Sequence, residues 1–206
     1  MDKELERRGH RFARYADDCN VYVASRRAGE RVMAMLRKLY SKLRLKVNET
    51  KSAVASVFSQ RKFLGYSLWR APKGVVKRKV ATKALDKFKH QVRSLTRRSA
   101  GQSMQQLVDR LRPYILGWKA YFQLAQTPGV WRELDQWIRH RLRAIKPRQC
   151  KRGKTMYLEL IAMGASPEHA RSIAANSRRW WRNSAKSLNG VLTIAYFDQL
   201  GLPRLS

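Results

Sequence analysis

Two adjacent carboxylates near the start of the chain are the side chains best suited to chemistry. They stand in the run Tyr15-Ala16-Asp17-Asp18, between two short segments rich in aromatic and β-branched residues. Like charges held close together repel, and Mg²⁺ removes that cost because it prefers carboxylate oxygens as ligands. Two such ions can hold the attacking and leaving oxygens of a phosphoryl transfer. Asp is also favoured in ordinary turns, and for an isolated Asp-Asp pair a plain turn is the more common explanation.

The elements that would position these carboxylates follow from the hydrophobic pattern. Residues 10–16 and 19–25 predict the two strands of a hairpin with the Asp-Asp pair at its turn. Apolar residues at spacings of three and four then predict a helix over residues 32–43. Further strands are predicted at residues 45–47, 53–58, 62–70 and 75–80.

From Thr82 onward the apolar residues recur with helical spacing, so the second part of the chain is predicted to be helical. Pro113 is expected to break or kink its helix, and Pro147 to open a basic loop, because proline lacks the amide proton that a helix needs. The change in pattern predicts an α+β fold with two domains, residues 1–81 and residues 82–206.

The charge balance indicates a polyanionic partner. Lys and Arg number 45 against 14 acidic residues, a net charge of +31. Such a chain is expected to release counterions from a phosphate backbone, so its affinity should fall steeply with salt. A solvated basic surface without a dedicated partner is the alternative. The charge is spread along the whole chain and is not clustered beside an apolar span, which disfavours a membrane-surface role.

The cysteines and the N-terminus point to the cytoplasm. Cys19 and Cys150 match no zinc-binding spacing, and we interpret both as reduced thiols. The first residues lack signal-peptide character, and no apolar run approaches the roughly 18 residues that a transmembrane helix needs. A cytoplasmic protein of bacterial type is therefore expected.

Basic and aromatic side chains occur together in two stretches of the second half. This combination suits RNA, which is bound through its phosphates and its stacked bases. A solvated face is the alternative for the basic residues. The candidate RNA-binding residues are Arg139, Arg143, Lys146, Arg148, Lys151, Arg152, Lys154, Arg178, Arg179, Trp180, Trp181 and Arg182.

Several of these segments resemble one protein family, and they occur in that family's order. Residues 12–23, which include the Asp-Asp pair, resemble the catalytic palm motif of reverse transcriptases in the form seen in bacterial group II intron proteins. Residues 45–52 resemble the next palm motif, and residues 63–66 resemble the primer grip. Similarity to the group II maturase-specific domain is carried by residues 117–122, 134–138, 179–181 and 195–203.

The resemblance implies a role for each motif. Residues 1–81 would be the C-terminal part of the palm with its primer-grip hairpin, and residues 82–206 the helical thumb and maturase-specific domain. Asp17 and Asp18 would be catalytic residues and ligands of a two-ion Mg²⁺ site. Lys51 would act on the leaving pyrophosphate, unless it is a solvent-facing or phosphate-contacting lysine. Primer or template contacts are implied for Tyr15, Phe63, Leu64, Gly65 and Tyr66, where a plain bulge is the alternative for the glycine.

The expected function is that of a group II intron reverse transcriptase/maturase, a mobile-element protein. The chain would bind intron RNA for splicing and contribute part of an RNA-directed DNA polymerase site, acting on an RNA template and a DNA primer. The family's palm has a further aspartate on an earlier strand, and only 16 residues precede Asp17. We therefore expect the chain to start within the palm and to need a separate fingers and upper-palm fragment. The alternative is a non-catalytic RNA-binding module, or a decayed remnant without polymerase activity.

Overall fold

The chain divides into two compact units, Met1–Ala81 and Thr82–Ser206. The first unit combines helices with two small antiparallel sheets, and the second is helical, so the predicted α+β class is confirmed. The computed structural model describes residues 1–56, 62–97, 101–150, 152–176, 180–185 and 187–206.

The first unit opens with the predicted hairpin. Helix α1 (Asp2–Arg7) leads into strands β1 (Arg11–Tyr15) and β2 (Asp18–Tyr22), which pair with Tyr15 opposite Asp18. The turn is therefore Ala16-Asp17, one residue earlier than predicted, and Asp18 already belongs to β2. Ala16 has a φ of 51°, a left-handed conformation that disfavours residues with a Cβ.

A second hairpin follows the long helix α2 (Arg26–Lys42). The single strand predicted over residues 62–70 is wrong, because it turns back on itself at Leu64 and Gly65, where φ is 51° and 77°. Positive φ at both central residues is typical of a two-residue hairpin turn whose twist matches its strands. The resulting sheet contains β3 (Lys62–Phe63), β4 (Tyr66–Arg70) and β5 (Val76–Val80), with a 3₁₀ turn at Pro72–Gly74.

The strands predicted at residues 45–47 and 53–58 are wrong wherever the structure describes them; residues 57 and 58 lie outside the described part. This segment is held on α2 by side chains and not by a neighbouring strand. Glu49 accepts hydrogen bonds from Arg37 at 2.6 and 2.9 Å. Val54 covers Gly29 so closely that a Cβ there would lie 2.6 Å from its Cγ1.

Helices make up the second unit, as predicted. Ser103 and Gln106 form a capping box at the start of α4, and Ser166 caps α7. The described helices are α3 (Thr82–Leu95), α4 (Met104–Tyr121), α5 (Pro128–Gln149), α6 (Gly153–Ala162), α7 (Pro167–Ala175), α8 (Trp180–Ala185) and α9 (Ile194–Gln199), with a 3₁₀ turn at Ser187–Gly190.

Neither internal proline ends its helix. Pro113 lies inside α4 and Pro147 inside α5, so the predicted break and the predicted loop at residue 147 are wrong. An internal proline costs about 3 kcal/mol in an exposed helix. Here Leu111 and Ile115 are fully buried on either side of Pro113, so packing of the apolar face holds the helix together.

The core between α3 and α4 is aromatic. Phe88 is fully buried, and its ring centroid lies 4.3 Å from that of Trp118 and 5.4 Å from that of Tyr114. The end of α3 is tied to α5 by Arg141. Its Nε donates to Thr96 Oγ1 at 2.5 Å, and its Nη2 donates to the carbonyl of Arg93 at 3.2 Å. Arg141 therefore satisfies carbonyls that a helix end leaves without a partner.

Asp135 holds the last residues of the chain against α5. It is 2% exposed and accepts three hydrogen bonds, from the Leu205 amide at 2.9 Å and from the Ser206 amide and hydroxyl at 2.9 and 2.8 Å. One buried carboxylate thus satisfies three donors, which fixes the segment that follows α9.

Replacing Asp135 with Ala is expected to destabilise the protein by about 2–4 kcal/mol. The change leaves a buried amide without a hydrogen-bond acceptor and removes charge-assisted hydrogen bonds. Urea denaturation followed by circular dichroism measures the loss. Asp109→Ala is the matched control, since Asp109 is exposed on α4 and accepts only from Gln105 among its described contacts. Equal midpoints for the two variants would contradict this interpretation of the contact.

Candidate functional site

The hairpin holds Asp17 and Asp18 in solvent. Both side chains are exposed, and neither carboxylate forms a hydrogen bond or an ion pair with another described residue. The neighbouring cation does not neutralise them, because Arg14 Nη2 lies 2.9 Å from Asp2 Oδ2, on α1. Although the chain has 45 basic residues, none in the part that the structure describes pairs with these two carboxylates.

These carboxylates fit Mg²⁺ as part of a donor set. Carboxylate oxygens are its preferred protein ligands, and water and substrate phosphate usually complete its shell. Within the described residues no group of three or more His, Cys, Asp and Glu side chains lies close enough to hold a metal ion. Asp17 and Asp18 would therefore contribute two carboxylates and leave the other positions to water and phosphate.

The structure also places the other residues implicated in the first unit. Tyr15, 64% exposed, is paired with Asp18 across the hairpin. Lys51 is exposed in a turn, where its amide donates to Asn48 Oδ1 at 3.2 Å. Gly65 occupies a tight turn and not a bulge. The residues predicted to form the primer grip, Phe63, Leu64, Gly65 and Tyr66, make up that turn and its flanks, and all four are half-buried.

Two of the predicted RNA-binding cations are buried. Arg139 is 8% exposed and Arg143 9% exposed, so neither belongs to a solvated face. Arg143 Nε donates to the Leu192 carbonyl at 2.7 Å, and its Cζ lies 5.6 Å from the centre of the Phe197 ring. Burial, together with the charge of Arg139, lowers the pKa of the Arg143 guanidinium from its usual value.

The remaining predicted cations differ in their surroundings. Lys146 forms an ion pair with Glu159, which occupies its charge within the protein. Arg148 is half-buried, whereas Arg152, Lys154 and Arg182 are exposed. Lys151, Arg178 and Arg179, and the side chain of Trp180, lie outside the described part of the structure.

Trp181 lies beside α5. It is 45% exposed, and its ring centroid lies 4.1 Å from that of His140. The His140 ring nitrogen Nε2 is 3.3 Å from the Trp181 carbonyl, so α8 is joined to α5 at this point. The two predicted stretches, around Arg139 and around Trp181, therefore come together in space.

Three residues that the sequence did not single out line the same region. Trp137, His140 and Arg132 border a cavity of about 950 Å³ between α5, α8 and α9, together with Arg139 and Arg143. Trp137 and His140 are three residues apart, so they share one face of α5. That three-residue spacing is the sequence signal that could have identified Trp137 and His140 as neighbours. His140 itself matches no metal-ligand spacing in the sequence.

Comparison with known families assigns both parts of the chain. Residues 1–68 match the model of the reverse transcriptase (RNA-dependent DNA polymerase) family, and residues 85–160 match the model of the group II intron maturase-specific domain. No single curated protein matches the chain significantly. Among the described helices, none is long and apolar enough to cross a membrane.

Proposed function

We propose that this chain, whose two parts match the reverse transcriptase family and the group II intron maturase-specific domain, binds structured group II intron RNA and thereby assists splicing. The observation that carries the proposal is the charge. Even if each of the 14 acidic residues neutralised one cation, 31 positive charges would remain. An excess of this size favours a partner with a dense row of phosphates.

A comparison of two polyanions tests the proposal. We expect the full chain to bind a structured intron RNA at least about tenfold more tightly than duplex DNA of equal length, because RNA offers unpaired bases and 2′-hydroxyls besides phosphate. Mobility shifts at a fixed, near-physiological salt concentration measure both affinities. Equal affinity for the two would show that charge alone drives binding and would overturn the assignment to RNA.

The second part of the proposal concerns Asp17 and Asp18. When bound, Mg²⁺ would supply charge neutralisation at a phosphoryl group that is being transferred. The two carboxylates would hold the ion at the tip of the first hairpin. Lys51 would donate a proton towards the leaving pyrophosphate, and Tyr15 and residues 63–66 would position the primer and template. The exposure of Asp17 and Asp18, and the lack of a partner for either carboxylate among the described residues, support this role.

Bound Fe²⁺ is expected to cut the chain close to Asp17. Fe²⁺ takes the place of Mg²⁺ at oxygen-ligand sites. With ascorbate and peroxide it generates hydroxyl radicals that cleave the nearest backbone. We expect a cleavage product ending within a few residues of Asp17, which excess Mg²⁺ suppresses and Asp17→Ala/Asp18→Ala abolishes.

The matched control removes the same charge elsewhere. Asp86→Ala/Asp109→Ala replaces two exposed carboxylates on α3 and α4 and should leave the cleavage unchanged. Cleavage that persists in Asp17→Ala/Asp18→Ala would remove the metal assignment. In that case RNA binding with no metal at the hairpin would favour the binding module over a contribution to polymerase chemistry.

A further inference from the structure

The cavity between α5, α8 and α9 is lined by more cationic than acidic side chains. Its volume of about 950 Å³ lies within the range of roughly 300–1,000 Å³ that is usual for ligand sites. Three of its lining side chains are the arginines Arg132, Arg139 and Arg143, against one acidic side chain, Glu133. The cavity is therefore positively charged.

Arg139 and Arg143 are buried, and neither has a counterion in the described part of the chain. Among the described residues no carboxylate oxygen lies within 4.0 Å of either guanidinium. Asp198 approaches Arg139 closely enough to feel its charge, but its ion pair is with Arg204. Asp135, one helical turn before Arg139, is committed to Leu205 and Ser206. Two neighbouring buried cations are costly unless an anion compensates them.

Aromatic rings border the same cavity. Trp137 and His140 line it, and Trp181 extends the His140 ring to the surface, where it is 45% exposed. Arg93 lies 5.4 Å from the centre of the Trp137 ring, which holds that ring in place from α3. Nucleic-acid bases that are not paired stack on such rings.

We propose that this cavity binds a single unpaired nucleotide of the RNA, with its phosphate at Arg139 and Arg143 and its base against the His140 ring, which Trp181 contacts. The inference rests on the proposed RNA binding and adds a defined subsite to it. A duplex cannot enter, because its bases are stacked and paired, whereas a bulged nucleotide can leave the helix. Binding there provides the anion that the two buried arginines lack.

Two hairpin RNAs distinguish this subsite from general RNA binding. One is fully paired, and the other carries a single bulged 5-iodouridine, which crosslinks to aromatic side chains on irradiation. We expect the full chain to bind the bulged RNA at least about tenfold more tightly, because stacking of the base and the contact to its phosphate add to the affinity. The crosslink should map to His140 or Trp181.

Arg139→Gln is expected to reduce the preference for the bulge to below about threefold. Arg171→Gln, which removes one exposed charge from α7, should lower both affinities equally and keep the preference. Because Arg139 is buried, thermal melts confirm that its variant folds. Arg132→Gln, at an exposed position on the cavity rim, provides a second variant that should also weaken the preference.

The outcomes separate the two proposals. Tight binding of both RNAs with no preference for the bulge, or with a preference that Arg139→Gln and Arg132→Gln leave intact, overturns the subsite and leaves RNA binding standing. A crosslink outside α5 and α8 also overturns it. Failure to bind either RNA would overturn the proposed function itself, and the subsite with it.

Discussion

Raising the salt concentration from about 50 to about 500 mM is expected to weaken RNA binding by at least about a thousandfold. Each phosphate that the protein neutralises contributes roughly 0.7–0.9 to the slope of log affinity against log salt. With a net charge of +31, the chain can readily contact five or more phosphates, which gives a slope steeper than about 3. Filter binding to one structured RNA across the salt series measures the slope directly.

Circular dichroism at both ends of the series is the control, because a fold that changed with salt would alter the affinity for a different reason. The ion pairs of the described surface, such as Arg26 with Glu30, are exposed and contribute little to stability, so the fold should be unaffected. A slope shallower than about 3 with an unchanged spectrum would mean that few phosphates are contacted, and charge could no longer carry the proposed function.

Phe88→Ala is expected to destabilise the helical unit by about 3–5 kcal/mol, the cost of removing a fully buried aromatic side chain. The loss has two parts, the transfer free energy of the ring and the cavity that it leaves against Tyr114 and Trp118. Because Trp118 is in contact with Phe88, its fluorescence reports the unfolding of this core. Urea denaturation gives the change in the free energy of unfolding.

Leu116→Ala provides the comparison. Leu116 lies on α4 as well but is 50% exposed, so its truncation should cost no more than about 0.5 kcal/mol. If the Phe88 and Leu116 variants unfolded at similar urea concentrations, the α3–α4 contact would not be the centre of this core.

Local sequence patterns were sufficient to predict most of the helices in the second unit. The capping box at Ser103 and the apolar stripes of α3 and α5 depend on residues three or four apart, which a sequence displays directly. The errors arose where distant contacts override local preference. Pro113 remains inside α4 because the surrounding face is buried, and residues 45–47 look like a strand but have α2 beside them and no strand to pair with.

In the candidate site, too, features set by local sequence could be predicted and features set by distant contacts could not. The Asp17-Asp18 pair could be found because its position in a hairpin is encoded by its immediate neighbours. The burial of Arg139 and Arg143 could not, since it depends on α8, α9 and Leu192, which lie some forty to sixty residues further along the chain. From the sequence alone, such a basic stretch resembles a solvent-exposed face, because the elements that bury it are distant along the chain. Arg141, in the same stretch, turned out to be committed to the end of α3.

The three hydrogen bonds to Asp135 have a consequence for hydrogen–deuterium exchange. Amides outside helices and strands usually exchange within moments. Here the amides of Leu205 and Ser206 are both held by a buried carboxylate, and Leu205 is 3% exposed. They can exchange only when their hydrogen bonds to Asp135 break or the whole helical unit opens. The end of the chain should therefore keep its protons about as long as the core helices do, and its exchange rate becomes a direct monitor of how often this unit opens.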